Sequence, residues 1–135
     1  MTRRVLVDTN LIVRYLVQDH ARHVRAAEKL FEACDRGDVV VVVLPAVLAE
    51  CVFVLQSFYR HSPADIASTL RQLITSPGVE IREVSIHLDV LDRFKATKVH
   101  FVDCIIDATA AATDLPVSSF DHDFQRFRDV RVELE

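Results

Sequence analysis

Half of the 135 residues are hydrophobic and only two are glycine, a composition that suits one compact domain over residues 1–135 and excludes linkers, low-complexity tracts and solenoid repeats. The net charge of −4 argues at first against a nucleic-acid partner, yet 13 of the 16 basic residues are arginine, whose planar fork suits phosphate; arginine-rich codon usage explains that bias equally well. The three cysteines, Cys34, Cys51 and Cys104, lack C-x-x-C spacing and sit among apolar neighbours, so they read as buried thiols of a reducing compartment and exclude a disulfide framework or a zinc site.

The first apolar run, Val5–Val7, is too short for a secretory signal and reads as a strand ending at Asp8, so a cytoplasmic location is expected. Leu11–Val17 follows as a helix. Between Arg22 and Arg36 the apolar positions Val24, Ala27, Leu30, Phe31 and Cys34 recur at three-and-four spacing, which predicts an amphipathic helix stopped at Gly37. "VVVVVLPAVLAECVFVL", Val39–Leu55, approaches the length of a membrane span, but Pro45 divides it and a central acid opposes insertion. It divides into a central parallel strand, Val39–Val43, covered on both faces, and a helix from Pro45 to about Phe58 that is apolar nearly all round.

Ser62 caps a helix over 63–75, "SPG" at 76–78 breaks the chain, and Val79–Val84 is a short strand. Ser85 caps a helix through about Lys95, and Val102–Thr113 forms another. Leu115–Ser118 is a short strand, Phe124 and Phe127 lie on a short helix, and Val130–Leu134 closes the chain as an edge strand. Strands separated by helices imply an α/β fold with a parallel sheet between helices.

The carboxylates fall at particular places on this frame. Asp8 follows the first strand and Asp121 and Asp123 the fourth, at the carboxyl edge where ligands of parallel sheets bind. Glu50 is the one charge in the apolar run, so it either reaches an edge or meets a cation or proton donor in a water-shielded setting. Asp103 and Asp107 lie on the helix 102–113. Each has a plain alternative: Asp8 and Asp121 as helix caps, Asp103 and Asp107 with Asp114 as a solvated stripe. One divalent ion would account for them together, because Mg²⁺ and Mn²⁺ prefer carboxylate oxygen and serve phosphodiester hydrolysis. Discounting four such acids brings the net charge to about zero.

"VLVDTNLIVRYL", "LAECVFVL", "HFVDCIIDATA" and "VSSFDHDF" together resemble the four acidic motifs of PIN-domain ribonucleases, and most of all those of the VapC-type toxins of bacterial toxin–antitoxin pairs. The resemblance covers essentially the whole chain, and the order of four motifs is what makes it specific. It implies a three-layer α/β/α sandwich with a central parallel sheet of four to five strands. It also implies Mg²⁺- or Mn²⁺-dependent RNA cleavage by Asp8, Glu50, Asp103 and Asp121. Asn10 and Ser119 match polar positions beside the first and last acids, Asp123 matches an extra ligand or supporting acid, and Asp107 is left open. A homodimer and a cognate antitoxin over the cleft are implied as partners, with no membrane role. Arg14, Arg22, Arg25, Arg93, Lys95, Lys98, Arg126 and Arg128 are candidates for the RNA path, His122 is a candidate substrate contact, and Phe31, Phe58 and Tyr59 are apolar surface candidates.

Three other readings compete. A metal-free histidine ribonuclease lacks a placed histidine pair, and an aspartyl-phosphate phosphatase wants an aspartate where Asn10 stands. A non-catalytic receiver-like or protein-interaction α/β module wants a late lysine, or would have lost an acid.

Overall fold

The computed structural model describes residues 2–97, 99–121, 124 and 127–133. The chain forms two compact units, Met1–Val84 and Ser85–Glu135. In the first, β1 (Arg3–Leu6), β2 (Val39–Val43) and β3 (Val79–Ile81) make a parallel sheet in the order β1-β2-β3, with Leu6 level with Val42 and Val43 level with Ile81. Parallel neighbours need crossovers. Helices α1 (Thr9–Val17) and α2 (Ala21–Asp35) supply the first, α3 (Pro45–Ser57) and α4 (Pro63–Thr75) the second.

Each helix shows why it begins and what it buries. Asp8 caps α1, His20 caps α2 by accepting from the His23 N–H, and Ser62 caps α4 by accepting from the Asp65 N–H at 3.1 Å. Pro45 opens α3 without a capping side chain. Val24, Ala27, Phe31 and Cys34 of α2 are buried as their spacing predicts, and Tyr15 stacks on Phe31 with ring centroids 4.3 Å apart. Gly78 is required by space as well as by its φ of +81: a Cβ there would lie 2.8 Å from Cys34 Sγ and 2.9 Å from the Cys34 carbonyl oxygen.

The second unit contains α5 (Val84–Ala96, continuing from the end of the first) and α6 (Phe101–Thr113), whose Phe94 and Phe101 rings meet edge to face. A small core of Ala110, Val117, Phe124 and Val130, with Phe127 and Val132 against it, holds the closing segment. Val117 and Val132 form a single parallel bridge: the Val117 N–H donates to the Arg131 carbonyl and the Glu133 N–H to the Val117 carbonyl. Arg93 fastens the same segment. Its Nε reaches both oxygens of Asp89 at 3.1 Å, its two terminal nitrogens reach Asp129 at 3.1 and 2.5 Å, and its guanidinium lies 4.7 Å from the centre of the Phe127 ring.

Several expectations are corrected. Among the described residues there are three strands and six helices, not a sheet of four to five strands. The expected strands 115–118 and 130–134 reduce to the Val117–Val132 bridge, because Leu115 still donates to Ala110 beyond the helix end and Pro116 has no N–H to offer. Val79–Val84 stops at Ile81, since Glu83 takes a left-handed φ of +56 and Val84 already begins α5, leaving Ser85 inside the helix rather than capping it. Along β2, Val39, Val41 and Val43 are buried but Val40 and Val42 only half-buried, so the two faces are not covered alike. Most of the expected helix around Phe124 and Phe127, and Leu134, lie outside the described residues. No helix among the described residues is long and apolar enough to cross a membrane.

Candidate functional site

In the first unit, the carboxyl ends of β1 and β2 lead directly to Asp8 and to the helix that carries Glu50. Asp8 Oδ1 accepts the Leu11 N–H at 2.9 Å, so the cap is real. The cap occupies one carboxylate oxygen and fixes the side chain's orientation. Oδ2 has no partner among the described residues, and ligation remains open to it. Asn10, two residues on, is exposed in the first turn of α1.

Glu50 is exposed, and the expectation of a water-shielded acid is wrong. Helix α3 buries only Leu48, Cys51, Val52 and Leu55; Ala46, Glu50 and Phe53 share the opposite, open side. Asp8 and Glu50 nevertheless act on one spot. Burial pushes the Cys51 thiol up to about 12, and the negative charges of Glu50 and Asp8 push it in the same direction. The pair therefore flanks a thiol that stays protonated and offers no soft ligand in competition with carboxylate oxygen.

In the second unit, Asp103 stands half-buried in the first turn of α6, where the helix dipole favours a negative charge. Asp121 is exposed after the Val117 bridge, and its N–H donates to Ser119 Oγ at 2.9 Å, so the Ser119 hydroxyl shapes the turn that presents the acid. Asp103 and Asp121 line one cavity of about 610 Å³. Asp107, one turn beyond Asp103, is fully buried, which overturns the solvated stripe of Asp103, Asp107 and Asp114. Asp114 instead ends α6 at a left-handed φ of +55. Asp123 and His122 lie outside the described residues.

The structure thus brings the acids together as two pairs, Asp8 with Glu50 and Asp103 with Asp121. Among the described residues no three His, Cys, Asp or Glu side chains of one group are placed to hold a metal ion. The donor chemistry still fits Mg²⁺ or Mn²⁺: every candidate is a hard carboxylate, three of the four are exposed and Asp103 is half-buried, and these ions keep part of their water shell. Exposed acids suit a hydrated ion better than the buried setting expected for Glu50.

Two candidates for the RNA path are committed elsewhere. Arg14 pairs with both oxygens of Asp19 at 3.0 Å, an acid that also accepts from the Tyr59 hydroxyl at 2.6 Å, and Arg93 is taken by Asp89 and Asp129. Arg22, Arg25, Lys95 and Arg128 are exposed, while Lys98 and Arg126 lie outside the described residues. Phe31 is core, whereas Phe58 is open to solvent. Sequence reasoning missed Phe120, 87 % exposed beside Asp121; its signal was a large apolar residue set between a hydroxyl and an acid in a loop.

Among known families, the model described as the PIN domain matches residues 5–130. No curated protein matches the chain.

Proposed function

The chain belongs to the PIN-domain family, a nuclease superfamily, and from that premise we propose that it is a Mg²⁺- or Mn²⁺-dependent endoribonuclease acting as the toxin of a type II toxin–antitoxin pair. The supporting observation is the order of four acidic motifs within the matched span, whose acids pair as Asp8 with Glu50 and Asp103 with Asp121. In this reading Asp8, through the oxygen its cap leaves over, Asp103 and Asp121 hold the ion. Glu50 joins them or orients the attacking water. Ser119 fixes the backbone of Asp121, and the resemblance assigns Asn10 and Asp107 at most a supporting place beside the first and third acids. A divalent ion supplies a nucleophile at neutral pH and neutralises charge on the phosphoryl group.

The reading extends to a three-layer α/β/α arrangement, a homodimer, a cytoplasmic setting and an antitoxin that covers the acids. Its test is cleavage of single-stranded RNA in Mn²⁺. Cutting should stop on chelation and in Asp103→Asn, fall strongly in Glu50→Gln without loss of stability, and leave 5′-phosphate ends. Chelator-insensitive cleavage, or 2′,3′-cyclic phosphate ends, refutes the metal-dependent mechanism, since a cyclic product requires the RNA's own hydroxyl as nucleophile.

A further inference from the structure

Asp8 and Glu50 belong to different helices, and part of what holds those helices in one relation lies far from either acid. At the near end α1 and α3 leave adjacent strands, where the Val7 N–H donates to the Val42 carbonyl at 3.4 Å. At the far end both helices run out into turns, and Asp19 joins them there. Its two oxygens each accept from one terminal nitrogen of Arg14 at 3.0 Å, and Oδ2 also accepts from the Tyr59 hydroxyl at 2.6 Å. Each side of this latch is fixed to its own helix. Arg14 is a residue of α1, and its carbonyl accepts the Gln18 N–H at 2.9 Å; the Phe58 and Tyr59 N–H groups both donate to the Val54 carbonyl of α3, at 3.0 and 3.3 Å. Gln18 and Arg60, which turn the chain beside the latch, take left-handed φ values of +61 and +59 without being glycine, at a backbone cost of roughly 1–2 kcal/mol each that the surrounding bonds must offset.

We infer that Tyr59 is a positioning residue for the acid pair: through Asp19 and Arg14 it fastens the far end of α3 to α1 and so sets the spacing of Glu50 and Asp8 for a divalent ion. The inference rests on the metal-dependent nuclease reading and extends it to residues that touch neither ion nor RNA. The lever is long enough to matter. At about 1.5 Å per residue, Tyr59 stands about 20 Å along α3 from Pro45 and Glu50 about 7 Å. A swing of about 1.5 Å at Tyr59, ordinary for an untethered turn, would carry Glu50 about 0.5 Å, which is the tolerance of a working constellation. As a source of stability the latch is weak, because Arg14 and Asp19 are 34 % and 33 % exposed and such pairs contribute roughly 0–1 kcal/mol. Its effect is therefore on geometry. The hydrogen bonds of Tyr59 and then Arg14 hold Asp19 below the usual carboxylate range, and Asp19 holds the Tyr59 phenol above its own, so acceptor and donor both persist around neutral pH.

The test titrates Mn²⁺ into the full chain. Loss of the free ion's electron paramagnetic resonance signal reads affinity without any reaction, and cleavage of single-stranded RNA over the same range reads the rate at saturation. In Tyr59→Phe, which deletes only the hydroxyl, half-saturation should rise about tenfold in both assays with the maximal rate unchanged, the low end of what groups that orient metal ligands contribute. Asp19→Ala should do the same, and the double variant should be no worse than the single ones, since all three open one latch. Gly78→Ala loses stability at the amino end of the strands, away from the latch, and should leave half-saturation where it is.

Unchanged half-saturation in Tyr59→Phe and Asp19→Ala overturns the positioning role and leaves the nuclease reading standing, provided the unaltered chain cuts in Mn²⁺. A tenfold shift in Mn²⁺ binding in a chain that cuts nothing keeps the role and overturns the nuclease reading. A fall in maximal rate with half-saturation unmoved overturns the role, because the latch then acts on something other than the ion. An equal shift in Gly78→Ala overturns it as well, because stability alone is then being read. A chain that binds no Mn²⁺ overturns both.

Discussion

Arg93 offers the sharpest test of what holds the segment that carries Asp121. Its side chain is buried while its two carboxylate partners are not: Asp89 and Asp129 are 41 % and 57 % exposed. Because both acids can return to water, removing the arginine strands no buried charge, and each pair contributes roughly 0.5–1 kcal/mol. The guanidinium over Phe127 adds about 0.5–1 kcal/mol. Arg93→Met keeps most of the buried stem and loses only these terms, so it should cost roughly 2 kcal/mol. Arg93→Ala also gives up the two buried methylenes beyond Cβ, at about 0.8 kcal/mol each, and should cost roughly 3–4 kcal/mol. Urea unfolding followed by far-ultraviolet circular dichroism measures both, and a double-mutant cycle with Asp129→Asn isolates the ion pair. The span from Val117 to Val132 carries Asp121, so Arg93→Met should also raise the Mn²⁺ concentration needed for half-maximal cleavage. A loss below about 0.5 kcal/mol in Arg93→Met, the scatter of ordinary surface changes, would refute the clasp.

Asp8 separates structure from chemistry: Asn is an equally good cap, so Asp8→Asn should unfold like the unaltered chain yet lose cleavage, whereas Asp8→Ala should lose cleavage and about 1 kcal/mol as well. Gly78→Ala should destabilise by roughly 1–3 kcal/mol in the same urea assay, because a positive φ and contacts under 3 Å with Cys34 coincide there. Acid titration of stability tests the carboxylate pairs. The Arg93 hydrogen bonds hold Asp129 below the usual carboxylate range, and the hydrogen bonds of Tyr59 and then Arg14 hold Asp19 there. A lowered pKa gives stability that is present above the unfolded value and is lost as pH falls through the folded one. The loss should therefore begin near pH 4 and continue below it, and Asp129→Asn should flatten it.

What the sequence revealed of the fold is what local chemistry decides. Five valines behind a glycine stop form β2 at the expected residues; Pro45, and Ser62 with Pro63, open α3 and α4 where expected; and the three-and-four spacing of α2 marks its buried side. What it misjudged depends on partners distant in the chain. Val130–Leu134 alternates as a strand should, but pairing needs a neighbour, and Pro116 and the helix end at Asp114 leave that neighbour only Val117 to offer. The strand at Val79 was overextended because nothing in "IREVS" announces that Glu83 turns left-handed.

The acids were legible for a related reason and Glu50 was misjudged by the same logic. A carboxylate in an apolar run stands out, which is why Glu50 drew notice, but apolar neighbours along the chain do not establish a dry environment. Helix α3 buries Leu48, Cys51, Val52 and Leu55 and turns Glu50 and Phe53 outward, so its hydrophobicity exceeds what its own unit covers. Asp107 errs in the opposite direction: its place on one helix face with Asp103 and Asp114 suggested a solvated stripe, and the residue is fully buried. Exposure suits the chemistry assigned to Glu50 and Asp8, since an ion that keeps its water must be met by carboxylates that water can reach. Full burial keeps Asp107 away from a hydrated ion at the surface, which suits the supporting role proposed for it. Hydropathy along the chain ranks these acids in the reverse order of their access to an ion. The property that separates a ligand from a support is the side of the helix it occupies, and that is set by the packing of Cys51 and Leu55 rather than by the residues next to Glu50 in sequence.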